Sequence, residues 1–462
     1  MGQKNILQDI GFSFSSSWLI FLFGAFVALL IRKKSWIPVS DCIDAWPDDL
    51  PLIFLGGKGR WSILGMSFDE VAFDELDQID LVGGCSGSYS SSNLPFHLGV
   101  VGIIGYDGVD STNPLSRIVR LYSALVFDHE TQQLWMTGSS NQNAQWSMAD
   151  ADGWLNNLCL KPLGYRMGSN TSGLLLQPHE TDASYIAKVE QAQEDIRDGR
   201  FYQINLLRYF DAEFPVPLEE RQGWLRHRLL SCGGAYSCWF RFEDLEVVSF
   251  SPERFVSWFP ENDNISVETY PIKGTAPRFY DPVMDLEAQR NLSSSEKDLA
   301  ELHMIVDLMR NDLNRISLPG SVKVLEGSRV KTLSYVHHLE AKIESKMRPQ
   351  LRFSEIWKSI APAGSITGAP KKEVMEAIFS SEKRSRKWFM GNCFYWDTGT
   401  GQFDSSVMIR TLVREHQSWE YAAGSGIVLA SNSMAEQQEI NHKCRVVSKD
   451  MVPESNQLLT FN

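Results

Sequence analysis

The stretch Pro271-Ile272-Lys273-Gly274-Thr275 indicates more about the fold and chemistry of this chain than any other. It follows an alternating run, residues 265–270, that is typical of a β-strand, and its glycine is typical of a tight turn. The pattern predicts a strand end from which Lys273 reaches into a cleft. Burial or neighbouring cations would lower the pKa of this amine and make it a nucleophile or a base. An ordinary surface lysine is the alternative.

The overall composition is that of an acidic protein with enough apolar residues for a large core. The chain has 462 residues, of which 43% are hydrophobic, and a formal net charge of −13. This charge argues against a general nucleic-acid partner, which requires a basic face, whereas an anionic substrate needs only a few local cations. The 7 cysteines are scattered and form no C-x-x-C pair. They favour reduced, buried thiols and a cytoplasmic location.

An apolar segment near the N-terminus stands apart from the rest of the chain. Residues 10–31 carry no charge, and Arg32-Lys33-Lys34 follows them directly. A membrane-spanning helix needs about 20 apolar residues, and a basic cluster after it would keep the C-terminal side cytoplasmic. Three interpretations stay open for residues 1–35: a membrane anchor, a buried or interfacial helix, or an extension foreign to the fold.

Patterning divides the remaining chain into two regions of a large α+β protein. Residues 36–170 are rich in glycines and strand patterns, whereas residues 180–450 interleave helical and strand patterns. The predicted helices begin near Ser184 and cover 295–311, 354–360, 371–379 and 434–447. The predicted strands of the second region include 391–396, 405–413 and 419–423.

Three glutamates on two predicted helices are candidate metal ligands. Glu301 shares an otherwise apolar helix face with Ile305, and Glu436 and Glu439 lie three residues apart on the last helix. A carboxylate is costly to bury alone, and a few carboxylates together with water and ligand oxygens are the usual set around Mg²⁺. Two solvated helix faces are the alternative.

Three further segments suggest anion binding or proton transfer. The glycine-bounded turn 364–371 opens a helix and would present free backbone N–H groups to an anion. Arg410 would share a strand face with Asp404 by period two and could clamp a carboxylate, and His338 offers an imidazole near a strand end. An ordinary loop, a structural ion pair and a structural histidine are the respective alternatives.

Taken together and in order, these segments resemble the chorismate-utilising enzymes over residues 50–447. The resemblance implies a large two-lobed β-sandwich with surrounding helices and a central cleft, the chorismate-binding fold. The lysine at position 273 resembles the pattern of the branch that converts chorismate and ammonia to 4-amino-4-deoxychorismate. The anthranilate synthase large subunit usually has alanine at this position. The motifs that carry the resemblance are Ser-Pro-Glu-Arg-Phe (251–255), Lys-Asp-Leu-Ala-Glu (297–301), Ile-Val-Asp-Leu (305–308), Gly-Ser-Ile-Thr-Gly-Ala-Pro-Lys (364–371), Ile-Arg-Thr (409–411) and Glu-x-x-Glu (436–439).

The resemblance also implies roles for the catalytic residues. Lys273 would attack C2 of chorismate and form a covalent adduct, which ammonia then opens at C4. Glu253 would act as acid and base, and His338 would lie near the departing hydroxyl. Gln203 occupies the place of the water-activating lysine of isochorismate and salicylate synthases. Because glutamine cannot act as a base, attack by water is disfavoured.

Binding residues are implied in the same way. Glu301 and Glu439 would hold Mg²⁺, with Glu436 beside them. Arg410 and Tyr395 would bind the enolpyruvyl carboxylate, in a pocket that is completed by Thr367, Gly424 and Gly426. Relatives also hold a tryptophan near segments that match Lys58, Gly59, Arg60, Trp61, Ala235, Tyr236 and Ser237.

The implied activity is a transaminase-class amination in p-aminobenzoate and folate synthesis. We predict no glutaminase module in the chain, so ammonia would come from a separate glutamine amidotransferase subunit. Two alternatives stay open. One is anthranilate synthesis by the same fold, and the other is a non-catalytic, membrane-tethered protein that binds chorismate or tryptophan.

Overall fold

The structure of the chain, a computed structural model, describes residues 17–22, 25–47, 50–57, 59–81, 94–108, 114–139, 148–160, 173–217, 220–332 and 336–448. The strands of these residues are β1 (Ser17–Leu22), β2 (Ala25–Lys34), β3 (Leu52–Gly56), β4 (Trp61–Glu70), β5 (Gly99–Ile104), β6 (Ser116–Asp128), β7 (Gln133–Ser139), β8 (Leu175–Pro178), β9 (Gln203–Glu213), β10 (Cys238–Arg241), β11 (Leu245–Ser249), β12 (Arg254–Glu261), β13 (Asn264–Thr269), β14 (Ile272–Pro277), β15 (Lys323–Thr332), β16 (Val336–Lys346), β17 (Gly368–Ala369), β18 (Asn392–Asp397), β19 (Phe403–Val407), β20 (Thr411–Glu415) and β21 (Ser418–Ile427).

The α-helices of the described residues lie mostly in the second half of the chain. They are α1 (Val39–Asp44), α2 (Met148–Leu160), α3 (Asp182–Arg197), α4 (Arg221–Cys232), α5 (Pro282–Ser293), α6 (Glu296–Ile316), α7 (Phe353–Ile360), α8 (Lys371–Glu382) and α9 (Ser433–Cys444). A 3₁₀ turn at Gly364–Ile366 precedes β17. The predicted helices are therefore present, with ends that differ from the predicted ones by a few residues.

The described strands form one sheet of antiparallel pairs that branches at β6. One arm leads from β6 through β4, β3, β10, β11, β20 and β21 to β9. The other arm leads from β6 through β5, β18, β19, β12 and β13 to β16, which also pairs with β14 and β15. The predicted α+β class is confirmed. Because β3 pairs with β10 and β5 with β18, the two predicted regions share this sheet, and their division stays a prediction.

Two helices bring acidic side chains to the ends of the two arms. Helix α6 packs against β14, β15 and β16, and α9 packs against β21 and α3. Each helix begins at a side-chain cap: the Ser295 hydroxyl accepts from the backbone N–H of Asp298, and Asn432 accepts from that of Ala435. The buried stripe Leu302, Ile305, Met309 and Leu313 holds α6 against the sheet.

The apolar N-terminal segment forms strands where the structure describes it, which contradicts the helical interpretations for those residues. Strands β1 and β2 form a hairpin, and β2 pairs with β7. Leu29 is fully buried, and Arg32 and Lys34 both contact Asp152. A short apolar run has no period that separates helix from strand, and pairing with β7 decides here. Residues 10–16 and 23–24 of the predicted segment lie outside the described residues. No described helix is long and apolar enough to cross a membrane.

Three local predictions near the motifs also need correction. The predicted strand 405–413 is two strands, β19 and β20, separated by a turn in which Arg410 has a φ of 53°. The predicted strand 419–423 is longer in the structure, since β21 also contains Gly424 and Gly426. Lys273 is the second residue of β14 and not the end of the preceding strand.

Candidate active site

Lys273 lies where the two arms of the sheet approach each other. A bulge separates the pair Lys273–Leu339 from the pair Thr275–His338, and Gly274 at this bulge has a φ of +65°. A Cβ at Gly274 would lie only 3.0 Å from the Asp298 carboxyl group, so both conformation and space favour glycine. The Lys273 Nζ lies 3.3 Å from the point that a Cβ of Gly426 would occupy. The amine of one arm thus faces a strand of the other.

The surroundings of Lys273 favour an uncharged amine. Burial lowers its pKa, whereas the Glu301 and Glu253 carboxyl groups oppose this shift. The positive charge of Lys443 acts in the same direction as burial. A lysine with a lowered pKa carries a larger fraction of free amine, which is the nucleophilic form.

The three predicted metal ligands come from α6 and α9, and two of them, Glu301 and Glu436, face each other. The Lys297 Nζ lies 3.8 Å from Glu301 and 3.9 Å from Glu436, so both carboxylates approach one cation. Burial raises the pKa of Glu301, and the negative charge of Glu436 adds to the rise. Burial would also raise the pKa of Glu439, but Lys443, at 2.7 Å, and the charges of Lys273 and Lys297 hold it below its usual value.

This donor set fits a hard divalent cation. It consists of carboxylate oxygens, and Glu436 lies close enough to Glu301 that its charge raises the pKa of Glu301. Glu436 is 4% exposed, so its charge requires a compensating cation. A tighter acidic group of the described residues, with ligand atoms within 4.8 Å of one another, is His179, Asp211 and Glu420. Glu420 already has an ion partner there, since Arg384 binds both of its oxygens at 3.0 Å.

Glu253 approaches the same site from the other side of Lys273. It lies just before β12, and burial raises the pKa of its carboxyl group. A hydrogen bond from Ser365 and the charges of Lys273, Lys443 and Arg410 oppose this rise. Glu253 and Ser365 line a cavity of about 10 Å³, which is close to the minimum that holds one water molecule. A carboxyl group with a raised pKa is suited to donate a proton.

His338 is neutral and keeps one ring nitrogen available. Its Nδ1 lies 3.2 Å from the Gly274 carbonyl oxygen and 3.0 Å from the Thr275 hydroxyl. Burial lowers its pKa to about 4. The Nε2 is buried and makes no hydrogen bond with any described residue. With the Nδ1–H donating to the carbonyl, Nε2 is left as a hydrogen-bond acceptor.

Arg410 and Thr367 have different surroundings. Arg410 is partly exposed, and its charge lowers the pKa values of both Glu253 and His338, which places its guanidinium near them. Thr367 is fully buried, and its hydroxyl donates to the Ala363 carbonyl at 3.0 Å and accepts from the Tyr106 hydroxyl at 3.2 Å. Both predicted contacts with substrate stay predictions.

A separate cavity of about 360 Å³ gathers the predicted tryptophan-binding residues. Its lining includes Gly59, Arg60, Trp61, Ala235, Tyr236 and Ser237. Lys58 lies outside the described residues. Arg254, 2.7 Å from Asp404, supplies a partly buried ion pair in the wall.

Tyr395 lines this second cavity and not the surroundings of Lys273. It faces Asp404 across the β18–β19 pair, and neither Lys273 nor Arg410 belongs to the cavity lining. The nearby charges that act on its hydroxyl include Asp404 and Arg254. The predicted contact of Tyr395 with the substrate therefore stays a prediction, and the geometry associates it with the tryptophan-binding residues.

Sequence reasoning missed several residues that the structure brings to the two sites. Lys443 donates to the Gly424 carbonyl at 2.6 Å and pairs with Glu439, four residues earlier on α9. That i, i+4 spacing was a visible signal. Asn205 lies beside Gly424, and Arg254 and Asp404 meet in the cavity wall. No local pattern in the sequence indicates these last contacts, because they join distant segments.

Comparison with known proteins identifies the family. Residues 67–449 match the family described as chorismate binding enzyme. Aminodeoxychorismate synthase component 1 of Escherichia coli (strain K12) is 34% identical over 374 residues, which are 78% of this chain and 78% of that protein. Anthranilate synthase component 1 of Saccharolobus solfataricus is 27% identical over 405 residues, 84% of this chain and 90% of that protein.

Solved structures of similar proteins have the same fold. Anthranilate synthase component I from Streptococcus pneumoniae TIGR4 superposes with a TM-score of 0.69 and 27% sequence identity, over 85% of this chain and 93% of that one. The menaquinone-specific isochorismate synthase MenF from Escherichia coli superposes with a TM-score of 0.68 at 17% identity, over 92% and 95% of the two chains. The chain belongs to the chorismate-binding enzyme family.

Proposed function

We propose that this chain aminates chorismate at C4 and forms 4-amino-4-deoxychorismate, with ammonia as the nitrogen donor. The observation that carries the proposal is the position of Lys273, whose amine has a lowered pKa and lies between Glu253 and the glycine strand β21. The similarity to aminodeoxychorismate synthase component 1, at 34% identity, supports the same conclusion.

In the proposed first step, the neutral Lys273 amine attacks C2 of the ring while the C4 hydroxyl leaves. Glu253, with its raised pKa, donates the proton that converts this hydroxyl to water. The unpaired Nε2 of His338 accepts a hydrogen bond near the reacting centre. The Nζ of the adduct then returns one proton to the Glu253 carboxylate. In the second step ammonia attacks C4, the C2–N bond breaks with its electron pair moving to Nζ, and one proton passes from the new C4 ammonium group to Nζ, which restores the neutral lysine.

We propose that Glu301, Glu436 and Glu439 hold Mg²⁺ when chorismate is bound. A bound Mg²⁺ would supply Lewis-acid assistance at the ring carboxylate. Two observations support this proposal: Glu301 and Glu436 approach one cation, and Glu301 and Glu439 lie near Lys273. Arg410 then balances the charge of the second substrate carboxylate.

We propose a separate glutamine amidotransferase as the ammonia source. The first relatives bear the name component 1, which implies a second component. Residues 83–87, Gly-Gly-Cys-Ser-Gly, do have the Gly-x-Cys-x-Gly spacing of a glutaminase nucleophile turn. They lie outside the described residues, but they fall within the chorismate-binding match 67–449 and not in a separate module. We therefore expect that glutamine without a partner yields no product.

We also propose that the second cavity binds a free aromatic amino acid, with tryptophan as the first candidate. The Arg254–Asp404 pair offers one group of each sign to a zwitterion, and Tyr236 and Trp61 offer ring faces. The Arg254 Nε and Asp404 Oδ1 are buried and make no hydrogen bond with a described residue. These two atoms would meet the ligand's carboxylate and ammonium groups.

The test of the main proposal is the product formed from chorismate, ammonium and Mg²⁺. Chromatography of the reaction mixture separates 4-amino-4-deoxychorismate from anthranilate, the product named by the anthranilate synthase relatives. We expect the former. Anthranilate as the sole product would refute the proposal in favour of anthranilate synthesis, and a protein that turns over no chorismate would refute amination altogether.

A further inference from the structure

Lys297, in the first turn of α6, is a basic residue beside the acidic site and has no role in the proposed amination. Its Nζ lies 3.8 Å from a carboxylate oxygen of Glu301 on the same helix and 3.9 Å from one of Glu436 on α9. Its charge also lowers the pKa of Glu439. One ammonium group therefore acts on all three carboxylates that we propose as metal ligands.

The position of Lys297 is unfavourable for helix α6 itself. The N-terminus of an α-helix carries a partial positive charge, so a cation in the first turn is disfavoured, whereas the neighbouring Glu296 and Asp298 are favoured. A lysine four residues before a glutamate is also the weaker order of such a pair. The stability of the helix therefore does not explain a lysine at this position.

The contact between α6 and α9 does explain it. Glu436 is almost fully buried, and Lys297 is the only basic side chain that the described residues place within ion-pair distance of its carboxylate. Without a cation, Glu301 and Glu436 would leave two negative charges side by side in a mostly buried site. The ammonium group compensates this repulsion between the two helices.

The Lys297 side chain is free to leave the site. It is 54% exposed, whereas the side chains of Glu301 and Glu436 are 15% and 5% exposed. Both of its ion pairs are longer than a hydrogen bond. A flexible lysine side chain held in this way can turn into solvent while the backbone of α6 stays in place.

We propose that Lys297 is a tethered counter-ion, which neutralises the acidic site in the metal-free protein and is displaced when Mg²⁺ binds. The inference rests on the metal site of the proposed function and adds to it a residue that controls its occupancy. An ammonium group and Mg²⁺ would repel each other between the same carboxylates, so the two cations exclude each other.

The exchange has a consequence for metal affinity. Mg²⁺ binds the three carboxylates fully only when the ammonium group has left, so the affinity is reduced by the fraction of molecules in which Lys297 is in place. In the metal-free protein, the same ion pairs hold α6 and α9 together. The lysine thus stabilises the fold before metal binding and weakens the metal binding that follows.

The exchange also changes the charge that chorismate meets. With Lys297 in place, three ionised carboxylates keep two unbalanced negative charges, whereas with Mg²⁺ in place and Lys297 in solvent they keep one. Since chorismate is an anion, the metal-bound site repels it less. We therefore expect Mg²⁺ to enter before chorismate or together with it.

The test measures the Kd for Mg²⁺ of the substrate-free protein by isothermal titration calorimetry. Lys297→Met keeps the length of the side chain and removes its charge, and we expect its Kd to be about three- to tenfold lower, since no cation competes. Lys297→Arg keeps the charge and should not bind Mg²⁺ more tightly than the unaltered protein. Lys387→Met removes an exposed lysine that is paired with Glu415, and it is the matched control with an unchanged Kd.

A second measurement distinguishes the exchange from a folding defect. In the presence of a chelator, Lys297→Met should have a Tm about 1–2 °C below that of the unaltered protein, because α6 and α9 lose their shared cation. Saturating Mg²⁺ should remove this difference. The two measurements are linked, since a loss of stability confined to the metal-free form is equivalent to tighter metal binding.

The outcomes separate this inference from the proposed function. Unchanged or weaker Mg²⁺ binding by Lys297→Met, or an equal loss of Tm with and without Mg²⁺, would refute the exchange even if the protein forms 4-amino-4-deoxychorismate. Tighter binding that Lys387→Met shares would refute it as well. Tighter binding by Lys297→Met alone, in a protein that forms no 4-amino-4-deoxychorismate, would support the exchange and refute the amination.

Discussion

The cleft at Lys273 and the cavity at Arg254 lie on two sides of one segment, and they are built differently. Glu253 faces the cleft, and Arg254, the next residue, faces the cavity. In the cavity the main charges form ion pairs, Arg254 with Asp404 at 2.7 Å and Arg60 with Asp128 at 2.8 Å, although Arg254 Nε and Asp404 Oδ1 make no hydrogen bond with a described residue. In the cleft, His338 Nε2 and the Gln203 amide have no partner among the described residues. The cavity is therefore organised for stability and binding, and the cleft for reaction.

The largest effect should come from the cleft's nucleophile. Lys273→Ala should slow amination at least about 10³-fold, because it removes the amine that forms the covalent adduct. Single-turnover measurements with chorismate and ammonium provide the rate. Lys323→Ala, an exposed lysine on β15, is the control. A Lys273→Ala protein that keeps more than a tenth of the original rate would contradict the nucleophile assignment.

Glu253 should be the next most sensitive residue. Glu253→Gln should lower kcat about 10²–10³-fold, the usual contribution of a general acid. Because the acid must be protonated, the rate of the unaltered enzyme should fall as the pH rises above the raised pKa of Glu253. That alkaline decline should be missing in the pH profile of the variant. An unchanged profile would show that another group donates the proton. The control variant is Glu213→Gln, at the exposed end of β9.

The residue next to Glu253 should affect stability more than rate. Arg254→Met should lower the free energy of unfolding by about 3 kcal/mol, because it leaves the Asp404 carboxylate buried without its partner. Turnover per folded molecule should fall far less than in Glu253→Gln, while tryptophan binding measured by calorimetry should be lost. Arg117→Met removes a more exposed ion pair with Asp244 and should cost less than about 1 kcal/mol. Equal losses of turnover at 253 and 254 would refute the contrast between the two sites.

The metal prediction distinguishes two acidic clusters. Glu439→Gln should raise the Mg²⁺ concentration needed for half-maximal activity about 10–100-fold, as expected for a lost ligand or one of its supporting groups. Asp211→Asn changes the cluster of His179, Asp211 and Glu420 and should leave the Mg²⁺ titration unaltered. The reverse result would move the metal site to that second cluster.

Part of both sites could be predicted from the sequence, and the limits have physical causes. Lys273, Glu253 and Glu301 lie in motifs that are local in sequence, and the structure brings them together. Arg410 was expected on a strand by alternation, but a turn with positive φ interrupts that strand. Alternation cannot reveal such a turn when no glycine marks it.

The contacts that sequence reasoning missed are those that join the two arms. In the sequence, Asn205 is indistinguishable from any other polar residue of a strand. Only the pairing of β9 with β21 shows where it lies. The apolar residues 18–31 satisfy a helix template as well as a strand template, and the pairing of β2 with β7 selects the strand. Patterns specify local structure, whereas long-range pairing specifies the sites.

The smallest expected effect concerns the stability of the protein at acidic pH. It shows whether the unpaired groups of the cleft make the folded protein sensitive to acid. The pKa of His338 is about 4 in the folded protein, whereas an unperturbed histidine has a pKa of 6.5. The unfolded chain therefore binds more protons than the folded protein between these two pH values. Stability should therefore be complete above the reference pKa and decrease as the pH falls toward the folded value, by about 1 kcal/mol between pH 7 and about 5.5. His338→Asn should remove this part of the slope in urea unfolding curves, whatever its effect at pH 7. A variant with the full original slope would assign the acid sensitivity to other groups and would weaken the contrast between a paired cavity and an unpaired cleft.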